Sequence, residues 1–315
     1  MADGREAGMH MTMLKVAVPL EMSLGECPLW DYRLQRLLWI DIHAGRIHAW
    51  YPEVGGAPKT VQLSEPIGCL ALADAGKLVA ATASGVFLLD ESFQPQKKLA
   101  DNPEWLDGAG NRFNDGAVDP MNRLWVGTID RQEVEPSAAL YCLAGSVLHK
   151  KKTGLAISNG LAFSPQGDWL YHTDSPKRQV VRHRVDLVTG LIGTAEPWVN
   201  LDRWRLPGVV DGAAVDSLGR YWCALYGGGQ VASFSPDGEL LETYPLSCPH
   251  PTMVTFGGND LRTLFVTTAR QHLGPEESAQ YPDAGSVFSM LVDVAGLAPH
   301  TFVAQPSQQQ EETVS

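Results

Sequence analysis

One unit recurs six times along the chain: an apolar stretch, a tight polar turn, then a second and more hydrophobic stretch. It reads CPLWDYRLQRLLWIDI from Cys27, CLALADAGKLVAAT from Cys69 and GAVDPMNRLWVGTI from Gly116. It returns as GLAFSPQGDWLYHTD from Gly160, GAAVDSLGRYWCAL from Gly212 and MVTFGGNDLRTLFVTT from Met253. The residues closing the first stretch are Trp30, Leu72, Val118, Phe163, Val215 and Phe256, about 42, 46, 45, 52 and 41 residues apart. Hairpins at that period are the mark of propeller blades, each a small sheet that buries its faces only against its neighbours. The turns carry Asp, Asn, Gly and Pro, as hairpins require, and the strands after them are rich in Leu, Val, Trp and Tyr. Third strands follow at GVFLLD from Gly85, ALYCLA from Ala139, QVVRHRVD from Gln179, GQVASFSP from Gly229 and GSVFSMLVD from Gly285. No segment of any length keeps a helical period. The expectation is an all-β, six-bladed β-propeller with four antiparallel strands per blade. It forms a single domain over residues 13–304, between a flexible start (1–12) and a flexible polar tail (305–315). A large β-sandwich would leave six similar hairpins unexplained, and the GH…WD signature of protein-docking WD40 blades is missing. The ring closes either through the N-terminal strand near LKVAV or through the C-terminal HTFVA; the sequence does not choose.

Composition narrows the partners. The 24 Lys and Arg against 36 Asp and Glu leave a net charge of −12, a surface that repels phosphates and argues against nucleic acid. The longest basic run, Lys150-Lys151-Lys152, is expected on a solvated strand edge or turn. No apolar stretch nears the roughly 20 residues that span a bilayer, so no membrane is expected. The five cysteines are scattered and lack a CxxC pair, which argues against a disulfide framework or a cysteine zinc site and fits a reducing cytoplasm. A monomer or a weak homo-oligomer is expected.

In a propeller the innermost strands line a central channel, so the segments just before the repeat hairpins converge at one mouth. These are Leu24-Gly25-Glu26-Cys27-Pro28, Asn111-Arg112-Phe113-Asn114-Asp115-Gly116, Ser158-Asn159-Gly160 and Val210-Asp211-Gly212. Glu26, Asn159 and Asp211 supply two carboxylates and an amide oxygen in matched register, a set suited to a divalent cation with positions left for water and substrate. Taken singly, Asn-Gly and Asp-Gly are common turn pairs and Glu26 an ordinary loop acid. Arg112 and Asn114 either face the same channel or serve their own loop, with Arg112 pairing Asp115. Other signatures fail: no HExxH occurs, and Ser158 lies in a near-GxSxG that runs into a strand, which disfavours a nucleophile elbow. Cys27 has nothing nearby to lower its pKa and is expected to be buried.

These motifs resemble the SMP-30/gluconolactonase/LRE family, which includes regucalcin and bacterial sugar lactonases. The likeness runs from about Met13 to Ala304, on LGECPLW, NRFNDGAVDPMNRLWVGTID, ISNGLAFSPQGDWLYHTDS, DGAAVDSLGRYWCALYGGGQV and FGGNDLRTLFVTTAR in that order. The resemblance implies one divalent metal at the channel mouth (Ca, Zn, Mn, Mg or Fe(II)), held by Glu26, Asn159 and Asp211. It implies substrate contacts from Arg112 and Asn114. An acid expected after the Gly127-Thr128 pair is replaced by Gln132, so Glu133 or Asp130 takes its place, or Gln132 changes which sugar fits. The implied activity is metal-dependent opening of a sugar lactone to the aldonic acid, a carboxylic ester hydrolysis with Asp211 doubling as general base. The alternatives are a calcium-binding regulatory protein without turnover and a propeller esterase or organophosphate hydrolase. Arg131, Arg203 and Arg205, in rim loops, raise the further idea of a sulfonated or phosphorylated lactone.

Overall fold

The computed structural model describes residues 14–304. The expected flexible start and tail lie outside the described residues. The innermost strand of each blade is buried almost throughout because neighbouring blades cover both faces: Ile67–Ala73 is buried at every residue, as is Ser158–Phe163. Outermost strands have one neighbour and one wet face, and Lys59–Gln62 contains no buried residue.

Each blade is a four-stranded antiparallel sheet, and six of them make the ring. Blade I holds Gly25–Asp31, Arg36–Asp41, Arg46–Trp50 and Lys59–Gln62. Blade II runs over Ile67–Ala73, Leu78–Thr82, Gly85–Leu89 and Pro95–Asp101. Blades III and IV start at Arg112–Val118 and Ser158–Phe163, and blade V at Val209–Val215. Blade VI takes three strands from the chain's end and its outermost from the beginning: Lys15–Val18 pairs antiparallel with Val287–Leu291. The N-terminal strand therefore closes the ring. The C-terminal Thr301–Phe302 instead adds a short parallel pairing to Leu72 and Ala73, so that Leu297–His300 lines the lower channel. Among the described residues helix is confined to short pieces, chiefly Pro103–Leu106 and Pro275–Gln280. The basic run sits on the outer strand Val147–Leu155, with Lys150 and Lys151 over the rings of Tyr141 and Trp125.

A polar clamp at the hairpins explains part of the repeat. Asp119 accepts Met121 N and Arg123 N on one oxygen, and Arg123 Nε and the indole Nε1 of Trp125 on the other, at 2.6–3.0 Å. Asp216 does the same with Leu218, Arg220 and Trp222. Both aspartates are fully buried, and the pattern D-x-x-x-R-x-W ties turn, strand and aromatic core together. Blade I has a longer turn, and Asp31 there pairs with Arg33 and Arg36.

Every innermost strand carries a bulge near its start: between Glu26 and Leu29, Ile67 and Cys69, Phe113 and Gly116, Asn159 and Ala162, Val210 and Ala213, and Pro251 and Met253. A bulge bends the strand and re-aims its side chains. Six of them in register turn the strand starts toward the same channel mouth.

Candidate active site

The bulges carry the residues singled out in the sequence. Glu26, Arg112, Asn114, Glu133, Asn159 and Asp211 line one cleft, together with Ser175, Tyr226, Gln271 and His272. Gln132 and Asp130 are not among its lining residues. Gln132 is exposed, while Asp130 turns into its own loop, accepting Val134 N, Glu135 N and Ser137 Oγ. That loop is what presents Glu133, in a left-handed conformation (φ 63°), to the cleft. Arg131, Arg203 and Arg205 do not line it, and Arg203 pairs with Glu239 elsewhere.

A chain of hydrogen bonds links the polar groups. Arg112 Nη1 donates to Asn114 Oδ1 (2.8 Å) and to Phe113 O (3.0 Å), not to Asp115. Asn114 Nδ2 donates to Asn159 Oδ1 (2.7 Å), and Asn159 Nδ2 donates to Asp211 Oδ1 (2.8 Å) and Ser175 Oγ (2.9 Å). Guanidinium has only donors, so Arg112 fixes the amide of Asn114, which in turn fixes that of Asn159. Backbone anchors hold the carriers. Asp41 accepts Ser23 N and Leu24 N just before Glu26, and Asp174 accepts Ala156 N and Ile157 N just before Asn159. Cys27 and Gly160, the residues after Glu26 and Asn159, both take positive φ (48° and 65°), a conformation that suits glycine and that Cys27 adopts with its amide bonded to Glu26 Oε2. Gly127 lets blades III and IV approach, since a Cβ there would lie 1.9 Å from Ser158 Oγ. Ser158 is fully buried against His172, which removes it as a nucleophile.

Burial raises the carboxyls of Glu26 and Asp211 above the usual range; the charge of Glu26 raises Asp211 further, and that of Asp115 raises both. Burial also pushes Asp115 up to about 7; its Oδ2 accepts Leu161 N while Oδ1 has no partner. Arg112 is pulled down to about 10 by burial, against the opposing pull of Glu133, Glu26 and Asp211. A folded-state pKa above the unfolded value favours the protonated fold. The contribution is complete below the ordinary carboxylate range near ~4 and is lost as pH rises through the folded values. The cation-free protein is therefore expected to lose thermal stability from about pH 5 to pH 8. Scanning calorimetry checks this; a flat or rising Tm would contradict the carboxylate cluster.

Among the described residues, no group of three His, Cys, Asp or Glu side chains is placed to hold a metal ion. A cation at this mouth therefore depends on the Asn159 amide oxygen. The donor set fits one. Glu26 Oε1 and Asp211 Oδ2 have no hydrogen-bond partner, and Asn159 Oδ1, bonded once to Asn114, keeps a second lone pair.

Comparison with known proteins places this ring. The profile described as "SMP-30/Gluconolactonase/LRE-like region" matches residues 24–270. The chain belongs to this family. It is 41% identical to 6-deoxy-6-sulfogluconolactonase of Pseudomonas putida over 92% of this chain and 98% of that protein. It is 31% identical to Homo sapiens regucalcin, covering 93% of this chain and 99% of the other. A crystal structure of the calcium-binding protein regucalcin from Agrobacterium tumefaciens superposes with a TM-score of 0.87 at 28% identity, covering 92% and 97%.

Ser175, Tyr226, Gln271 and His272 were not found from the sequence. Tyr226 closes a second strand and the other three follow one, and the ends of these strands return to the same mouth as the starts of the first strands because the pairing is antiparallel. The same repeat alignment, read one strand further, contained that signal.

Proposed function

We propose that this cleft opens a sugar lactone to its aldonic acid with one divalent cation held by Glu26, Asn159 and Asp211. The carrying observation is the joining of Asn159 and Asp211 to Arg112 and Asn114 through a single hydrogen-bond chain, with Glu26 lining the same cleft. The family relatives named as lactonases support the reaction class. When bound, the cation supplies Lewis-acid polarisation of the lactone carbonyl.

The chain's own groups supply the rest. Asp211, made more basic by burial and by Glu26, takes the proton of the water that attacks the carbonyl. Arg112 has no protein partner on Nε or Nη2, and these N–H groups hold the ring or lactone oxygens. Glu133 accepts from sugar hydroxyls, in the role for which the sequence offered Gln132, Asp130 or Glu133. Arg112, Asn114 and Glu133 together favour a hydroxylated substrate over the apolar esters or organophosphates of other propellers. The Pseudomonas relative extends the candidate lactones to one bearing a sulfonate.

Glu133→Gln is expected to raise KM for a neutral aldonolactone about tenfold with little change in kcat, the loss of one charge-assisted hydrogen bond. Steady-state kinetics read this directly; a fall in kcat with unchanged KM would move Glu133 out of ground-state binding. The function itself is tested by following acid release from a panel of aldonolactones, corrected for spontaneous opening. No rate above the spontaneous one on any lactone would refute it.

A further inference from the structure

Four places before the residues that close the first strands stand Glu26, Gly68, Asn114, Asn159, Asp211 and Thr252, four of them cleft residues. The next position makes the layer beneath: Cys27, Cys69, Asp115, Gly160, Gly212 and Met253. Below that layer the channel is apolar, lined by residues such as Leu29, Leu70, Ala162 and Val254. Asp115 is the one charged member of the six. It is buried, and its Oδ1 has no hydrogen-bond partner among the described residues. A carboxylate there is costly unless its other oxygen meets a need of the fold.

That need is the bulge of blade IV. Asn159 pairs with Thr173 and Ala162 with Tyr171, so Gly160 and Leu161 between them have no partner in the register of the second strand. The segment is buried throughout, and its backbone groups must find partners outside the blade. Neighbouring blades supply them. Asn114 Nδ2 donates to Ser158 O at 3.1 Å, just ahead of the bulge, and Tyr221 Oη donates to Gly160 O at 3.0 Å. Asp115 Oδ2 accepts Leu161 N at 2.8 Å. Gly160 has a φ of 65°, and a Cβ there would lie 2.6 Å from Tyr221 Oη. The link between Asn159 and Leu161 is therefore a glycine, the most pliant residue, and its conformation is set by the pins on either side.

We propose that Asp115 is a positioning residue: by holding Leu161 N it fixes the bulge of blade IV and so aims the Asn159 amide oxygen at the cation site. Asn114 and Asp115, adjacent in blade III, then act as a pair. The first holds the Asn159 side chain at Oδ1 (2.7 Å), and the second holds its backbone two residues on. This inference rests on the reading of Glu26, Asn159 and Asp211 as cation ligands, and it adds the group that keeps the amide ligand in place.

The test sets Asp115→Asn against Asp115→Leu in the full-length protein. Both lose the charge, but only asparagine can still accept Leu161 N, so the difference between them reads that hydrogen bond. Titration calorimetry with calcium, and with manganese, is expected to show cation affinity about tenfold weaker in Asp115→Leu than in Asp115→Asn, the usual order for losing a group that orients a metal ligand. Equal affinities, or tighter binding by Asp115→Leu, would overturn the proposal. Should the leucine variant not fold, Asp115→Ala takes its place. Absence of cation binding by the unaltered protein would defeat the cation reading alone. The positioning is then judged without metal: the Asn159 side-chain amide protons should exchange with solvent about tenfold faster in Asp115→Leu than in Asp115→Asn. Equal exchange at Asn159 in the two variants, whatever happens at the Leu161 amide, would overturn it.

Discussion

Asp211→Asn is expected to lower kcat for lactone opening by at least about a thousandfold while leaving the fold intact. Asparagine keeps the shape and can still accept from Asn159 Nδ2 through its own carbonyl oxygen, so the hydrogen-bond chain from Arg112 survives. What disappears is the charge and the proton acceptor. General-base catalysis alone is worth roughly a hundred- to ten-thousandfold, and the loss of one of two carboxylates weakens cation binding as well. The variant should also relieve the repulsion with Glu26, so its cation-free form should lose less stability between pH 5 and 8 than the unaltered protein does. A variant that retains full kcat would show that Asp211 only builds the turn.

The largest effect on stability is expected far from the cleft. Asp119→Ala leaves the Arg123 guanidinium and the Trp125 indole N–H without their acceptor in a fully buried setting and frees the turn amides of Met121 and Arg123. Breaking one partner of a buried ion pair costs about 3–5 kcal/mol. Asp216→Ala should cost somewhat less, since it breaks the same contacts in blade V but Arg220 is more exposed than Arg123. Thermal unfolding of both variants checks this. A loss under about 1 kcal/mol in either would mean that the clamp is replaceable by water and that the D-x-x-x-R-x-W pattern has another cause.

The inner half of each blade was legible in the sequence because burial writes it there. Ile67–Ala73 and Leu78–Thr82 are continuous apolar runs flanked by turn residues, and such runs repeat at a visible period. The outer strands were faint because one face is wet: Leu240–Pro245 has no fully buried residue, and Pro95–Asp101 has only Leu99. Ring closure was undecided for a related reason. LKVAV and HTFVA are equally strand-like, and only the free edge of Val287–Leu291 selects between them. At the site, Glu26, Asn159 and Asp211 could be picked out because the ring repeats their register. Gln271 and His272 were missed because the register was followed only along the first strand of each unit, while they follow the second strand of blade VI. Glu133 stood beside Gln132 as an equal candidate until the Asp130 loop set its direction.

Lactone opening at this cleft is expected to depend on one cation held by Glu26, Asn159 and Asp211. The most direct test measures acid release from an aldonolactone as a function of cation bound per chain, after chelator treatment and stepwise reloading. The rate should rise from the spontaneous value in proportion to occupancy and level off at one cation per chain, and Glu26→Gln should stay near the spontaneous value at matched total cation. Full activity in the stripped protein, or a rate indifferent to occupancy, would contradict a cation-dependent site.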